Sequence, residues 1–443
     1  MKLLNHFTTG ILFILLGMTM VFAQEPNIPD SVQNINTNFH FQLTSVSQIK
    51  SGIHAPYSGA HSLNPNAERA STLTATIFWS EKLWKHAAIY VNPEVAGGGG
   101  ISQAQGIAGF SNGEAFRVGQ PAPAFYLARF FIQQTISLSE KRISIGENAN
   151  EAYKTKPEKY IDLIFGKFSN ADYFDKNSFS HDPRTQFLNW SLMSNGAWDY
   201  AANVRGYTVG GIIEYGTENF SWRTGLTLLP LQANGNDLNF KISKARAWVT
   251  EIEKIFLINK RKTIIRLLAY HNTANMGNYN QAVLQWESPD ITQTRAYGRT
   301  KYGFGINAEQ DLNNGIGIFA RSSWNDGKNE SWAFTEIDRS VSLGMQFEGY
   351  RWKRPKDTFG VGAVLNGISK EHQTYLAAGG LGFIIGDGRL NYKNEFATEI
   401  YYKANLFSDT FFLSPNIQYV NNPGYNKDRG PAFLGAIRVH IQF

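Results

Sequence analysis

The chain contains no cysteine, so neither a disulfide framework nor a thiolate metal site can hold it together. After Ala23 it also lacks any apolar run near the roughly 20 residues that a spanning helix needs, which excludes an α-helical membrane protein. Charge is sparse: charged residues make up 18% of the chain and the net charge is +6. It is scattered without a basic stripe, so nucleic acid is excluded as a partner. Chemistry-bearing patterns are missing too. The 9 histidines show no HExxH or paired-ligand spacing. Ser180, His181 and Asp182 have the residue types of a hydrolase triad, but consecutive residues point in different directions. Gly97 to Gly100 and Gly386-Asp387-Gly388 lack the Lys-Ser/Thr of a phosphate loop and read as turns or hinges. No catalytic set, metal or cofactor is expected.

What is present is aromatic residues, 14% of the chain, and a two-residue hydrophobic rhythm. Lys2 precedes the apolar run Ile11 to Ala23, which reads as a secretory signal peptide over residues 1–23. The polar stretch 24–37 reads as a flexible leader, and residues 38–443 as one domain. Leu73, Ala75, Ile77 and Trp79 alternate with Thr74, Thr76 and Ser80, with Phe78 out of phase. Val341, Leu343, Met345 and Phe347 alternate with Ser342, Gly344, Gln346 and Glu348. Such segments recur at 38–47, 72–80, 84–94, 124–138, 159–167, 206–215, 219–229, 243–252, 263–272, 300–309, 314–324, 338–348, 357–367, 390–403, 409–420 and 432–443. A tilted spanning strand needs roughly 9 to 11 residues, so these lengths predict an all-β chain closed into a single transmembrane antiparallel β-barrel of about 16 strands, with about 18 as the alternative.

A soluble sandwich would alternate as well. The secretion signal, the aromatic load and the final strand, where Ile437, Val439, Ile441 and Phe443 share a face, favour the membrane barrel. On the other parity, Arg129, Arg223, Arg321, Glu395, Glu399, Asn416, Gln418, Arg438 and His440 would border an aqueous lumen.

One segment, Gly166 to Gly210, is too long and too polar for a hairpin turn. It interleaves turn formers with Phe, Trp and Tyr, which predicts a loop folded back on a wall and narrowing a pore. Its runs SHDPRTQFLNW and NGAWDYAANVRGYTVG, with YLAAGGLGFIIGDGRLNY and NPGYNKDRGPA further on, resemble the carbohydrate-selective porin family of bacterial outer membranes. The resemblance covers most of the chain after about Leu73 and implies a barrel that lets monosaccharides or small oligosaccharides diffuse passively into the periplasm. It also implies contact with outer-membrane lipid and the barrel-assembly machinery, and leaves association of barrels open. A barrel-embedded lipid hydrolase and a general, non-selective porin are the alternatives. A sugar presents hydroxyls and apolar C–H faces, so the expected substrate-binding set combines Asp182, Arg184, Asn189, Asp199, Arg205, Glu395 and Glu399 with Trp190 and Trp198.

Overall fold

The period-two pattern resolves into strands with one face toward lipid and one toward the interior. The computed structural model describes residues 37–443 apart from 116–121, 145–148, 151, 154, 286 and 313. The expected signal peptide and all of the leader except Thr37 lie outside the described residues. The strands are β1 (Thr37–Lys50), β2 (Glu68–Trp84), β3 (Ala87–Gly98), β4 (Ala124–Ser137), β5 (Arg142–Ser144), β6 (Thr155–Pro157), β7 (Tyr160–Phe168), β8 (Thr208–Gly216), β9 (Phe220–Thr227), β10 (Arg246–Ile258), β11 (Arg261–Met276), β12 (Ala296–Asp311), β13 (Ile316–Asn325), β14 (Arg339–Glu348), β15 (Thr358–Gly367), β16 (Glu395–Phe407), β17 (Phe411–Asn421) and β18 (Ala432–Gln442). All but β5 and β6 form one closed antiparallel barrel of sixteen strands; β5 and β6 pair only with each other.

Closure joins β1 to β18, with Thr44 opposite His440 and Lys50 opposite Leu434. Thr44 Oγ1 lies 2.9 Å from His440 Nδ1 across this seam. With every edge paired, no strand is left with unpaired backbone groups facing lipid. Among the described residues no helix is long and apolar enough to cross a membrane; the strands do the crossing.

Outward positions such as Phe165, Leu343 and Ile417 are exposed, as lipid contact requires. Phe78, out of phase in the sequence, points inward and lines a lumen cavity. The two barrel ends differ. At one, strands are joined by short turns, for example at 85–86, 217–219 and 259–260. At the other they are joined by long segments, including 99–123, 169–207, 277–295, 326–338 and 368–394. Short turns face the periplasm and long loops the exterior in barrels of this kind.

The main apolar cluster sits inside the barrel, where Trp190, Trp198, Tyr200, Phe334, Tyr279 and Tyr375 are all buried. Several predicted strands start two or more residues later than expected: β3 at Ala87 rather than 84, β8 at Thr208 rather than 206, β10 at Arg246 rather than 243, β13 at Ile316 rather than 314, β16 at Glu395 rather than 390 and β17 at Phe411 rather than 409. Gly206 and Tyr207 remain in the loop, and β16 begins at Glu395, with 390–394 outside it.

Candidate functional site

The segment 169–207 turns into the lumen because inward-facing ions and amides of the wall bind its backbone. Glu399 of β16 accepts from the Leu188 N–H at 2.6 Å and the Asn189 N–H at 2.7 Å. Arg321 of β13 donates to the Ser180 carbonyl at 2.6 Å and the Leu192 carbonyl at 3.1 Å, and pairs with Asp175 at 3.0 Å. Arg438 of β18 donates to the carbonyls of Pro183 and Gln186 at 2.7 and 2.6 Å. Glu309 of β12 accepts from the Ser178 N–H at 2.6 Å. Charge-assisted bonds of this type, shielded from water, are the stronger class. They fasten the segment to the wall between β12 and β18.

A second inward segment, 99–115, completes the filling. Glu395 accepts from the N–H groups of Ala108, Gly109 and Gly424 at 2.9, 2.9 and 2.8 Å. Gln418 donates to the Ser111 carbonyl at 2.8 Å. Gly106 has φ +77 and lies so close to the Leu63 backbone that a Cβ would meet it at 1.9 Å, so glycine is required there.

Five of the nine expected binding residues are therefore fasteners that line neither of the two lumen cavities that Arg184 borders. Glu395 and Glu399 carry loop backbone. Asp199 accepts from the N–H groups of Trp332, Ala333 and Phe334 at 2.7, 2.9 and 3.0 Å, joining the loop to segment 326–338; burial raises its pKa above the usual carboxylate range. Asn189 caps α1 (Trp190–Met193) by accepting from the Ser191 N–H at 3.1 Å, and donates to the Gly109 carbonyl at 2.7 Å. Trp198 packs among Phe174 and Tyr200. The physical reason is common to all: their polar atoms or rings face loops that cover the wall, whereas strand parity predicts only an inward direction.

Asp182, Arg184, Trp190 and Arg205 do reach open space. They line a cavity of about 670 Å³, bounded also by wall residues Gln42, Arg129, Asp162, Glu214 and Arg266 and by loop residues Asp172, Lys176 and Tyr207. A smaller cavity of about 90 Å³ lies toward the long-loop end, where it meets Thr74, Glu94, Ala96, Tyr126 and Phe334. The two share Gly113, Glu114, Arg184, Trp190, Tyr200, Arg205, Gly206 and Tyr207. That shared ring is where the two cavities meet.

Arg184 organises the ring. It pairs with Glu94 at 3.0 Å and Glu114 at 3.1 Å, and donates to Thr76 Oγ1 at 3.1 Å and Gln42 Oε1 at 3.4 Å. A guanidinium has five N–H donors, so these four contacts leave one over. Tyr126 and Tyr207 both donate to Glu94, the latter at 3.2 Å. Burial opposes the Asp182 charge, yet hydrogen bonding from the Arg184 N–H and the Arg184 charge hold its pKa below the usual range. Arg205 places its guanidinium 4.1 Å from the Tyr126 ring centroid. Arg129 forms a two-pronged pair with Asp172 at 2.7 and 2.6 Å.

Opposite these charges, Phe110, Trp190, Phe334 and Tyr200 stack in sequence, with centroids 5.0, 5.0 and 4.8 Å apart and interplanar angles of 20° or less. Glu114 Oε2 and Trp190 Nε1 are buried without a hydrogen-bond partner and are closed to the opening. The ring thus sets the Arg184 guanidinium and an aromatic face around one opening. Among the described residues no group of three or more ligating side chains could hold a metal ion.

Sequence reasoning did not select Glu94, Glu114, Tyr126, Tyr207, Asp172 or Lys176. Glu94 carried a usable signal, as a lone carboxylate on inward parity between Pro93 and Val95. Glu114 carried none, because its place in the ring depends on how 99–115 folds.

Comparison with known proteins matches residues 81–443 to the family described as carbohydrate-selective porin, OprB family. No curated protein matches the sequence. Among solved structures, the high-pH structure of Pseudomonas putida OprB aligns with TM-score 0.67 at 17% identity, covering 91% of this chain and 94% of that one. The low-pH structure of the same protein aligns with TM-score 0.50 at 13% identity, covering 92% and 93%.

Proposed function

The chain belongs to the carbohydrate-selective porin, OprB family, and is a sugar-selective porin of the bacterial outer membrane; from that premise we propose that the ring around Arg184 is its selectivity filter. Small sugars enter from the long-loop side, pass the ring and leave through the larger cavity toward the periplasm. The observation that carries this reading is the meeting of two cavities at one set of residues, with the spare Arg184 N–H at the junction.

At the ring, sugar hydroxyls receive a hydrogen bond from Arg184, while C–H faces slide along Trp190, Tyr200 and Phe334. Fixed partners at Glu94 and Glu114 hold the guanidinium in register, so a guest meets a preformed surface and loses little to reorganisation. Arg205 and Asp182 complete the rim. Asn189, Trp198, Asp199, Glu395 and Glu399 act on the guest only by holding the loop. Passage is passive, requires no cofactor, and involves no catalysis. The assembly machinery reads the last strand and Phe443, and lipid contacts the outward aromatics.

Liposome swelling tests this. Wild-type protein should admit small sugars faster than an equally sized non-sugar without any energy source, and Arg184→Ala should lower that preference while the barrel stays folded. Uptake that depends on ATP or a proton gradient would sink the passive mechanism. Equal rates for sugar and non-sugar in the wild type would favour a general porin.

A further inference from the structure

The outer face of β10 and the segment before it hold cations that the permeation path does not use. Arg246 and Trp248 are exposed while Ala247 and Val249 are buried, so on β10 the first two project away from the lumen, and Lys244 is exposed in the turn just before the strand. Trp248 lies in a lateral row: its register partners are Leu226 and His271, and His271 pairs in turn with Tyr302. An exposed Trp and Tyr row on a barrel marks the boundary between hydrocarbon and water. Lys244 and Arg246 stand just beyond it at the long-loop end, which is the outer leaflet.

These cations are positioned but not neutralised. Arg246 Nη1 donates to the carbonyls of Ile242 and Ser243 at 3.3 and 3.0 Å, which leaves its Nε and Nη2 donors over. Lys244 Nζ sits 5.2 Å from the Tyr297 ring centroid. With Lys241, three cations fall between positions 241 and 246, and among the described residues no carboxylate pairs with any of them. The neighbouring Phe240 and Ile242 are 74% and 45% exposed. Inside the lumen, by contrast, Arg129, Arg184, Arg223, Arg266 and Arg321 all face carboxylates.

We propose that this patch docks a phosphate-bearing lipid of the outer leaflet. Its phosphate accepts from Lys244 and Arg246, and its acyl chains lie against Trp248 and the outward residues below. Unpaired cations beside exposed apolar side chains at the boundary match a molecule that is anionic at its head and apolar in its tail.

Native mass spectrometry of the purified full chain in detergent provides the test, with lipid A as the phosphorylated probe, its dephosphorylated form as control and inorganic phosphate as competitor. Wild type and Lys370→Ser, a change at an exposed cation on the loop side, should retain lipid A equally. Lys244→Ser should weaken retention about fivefold, and Lys244→Ser with Arg246→Ser about thirtyfold, taking about 1 kcal/mol, a factor of about five, per interfacial cation. The dephosphorylated lipid should bind no better to wild type than to the double variant, and millimolar phosphate should not displace lipid A. Among the described residues the Lys244 side chain makes no hydrogen bond, so the single variant remains informative if the double variant fails to fold. Retention unchanged in Lys244→Ser, equal binding of both lipid forms, or displacement by free phosphate would each overturn the proposal.

Discussion

The two sides of the barrel wall use the same residue types to opposite ends. Along β12 to β18, inward Arg321, Arg438, Glu395 and Glu399 spend their hydrogen-bonding capacity on loop backbone and are sealed from water. Along β1 to β8, inward Gln42, Arg129, Asp162 and Glu214 face a cavity of about 670 Å³. A charge on the first side sets where the loops lie; a charge on the second faces whatever passes. The passage is therefore off-centre, and its width on the open side is set by fasteners on the closed side. Neither role follows from residue type or parity alone.

That contrast can be broken most severely at Arg321. Arg321→Met leaves Asp175 buried without its cation, a loss of about 3–5 kcal/mol, and should release the loop. Thermal unfolding monitored at aromatic signals should fall, and single-channel conductance should rise with sugar preference lost.

Glu399→Gln is the next step down. The amide keeps the volume but offers only one acceptor oxygen to the N–H groups of Leu188 and Asn189, at a cost of about 1–3 kcal/mol. Increased current noise, with the barrel still resistant to detergent at room temperature, is the expected signature.

Crossing to the open side, Arg184→Ala should leave the loop in place, because the Glu399, Arg321 and Arg438 contacts remain. Here the expected outcome is a drop in sugar preference on the order of tenfold, read by liposome swelling, with a smaller fall in unfolding temperature than Arg321→Met gives, because Glu94 and Glu114 lose their cation but border the cavity. If Arg184→Ala instead resembled Arg321→Met in both readouts, the division between fastening and filtering residues would collapse.

The smallest effect is reserved for Trp190→Phe, which preserves stacking and removes an Nε1–H that is buried without a partner. Sugar flux should change by no more than the value of one neutral hydrogen bond, about 0.5–1.5 kcal/mol, and non-sugar flux should stay constant.

Much of the architecture was legible before folding. Each of the sixteen predicted segments overlaps one barrel strand, because alternation between lipid and lumen is imposed locally, residue by residue. The inward loop was legible too, from its length and turn-forming composition. Within it, Asp182, Arg184, Trp190 and Arg205 reached the cavity, whereas Asn189, Trp198 and Asp199 became buried supports. Nothing in the neighbouring sequence separates these groups. Asp199 meets Ala333 across 134 positions of chain, and Leu188 meets Glu399 across 211.

The amino-acid order by itself determined the two-residue alternation of each strand, a strand count near sixteen, and that one long polar segment is too long for a hairpin turn. Only the tertiary structure decided which inward charges would be that segment's partners. Burial converts a charge into a fastener when backbone donors or acceptors arrive to satisfy it, and leaves it available when they do not. Those arrivals are long-range events, set by the paths of segments 99–115, 169–207 and 326–338 through the lumen.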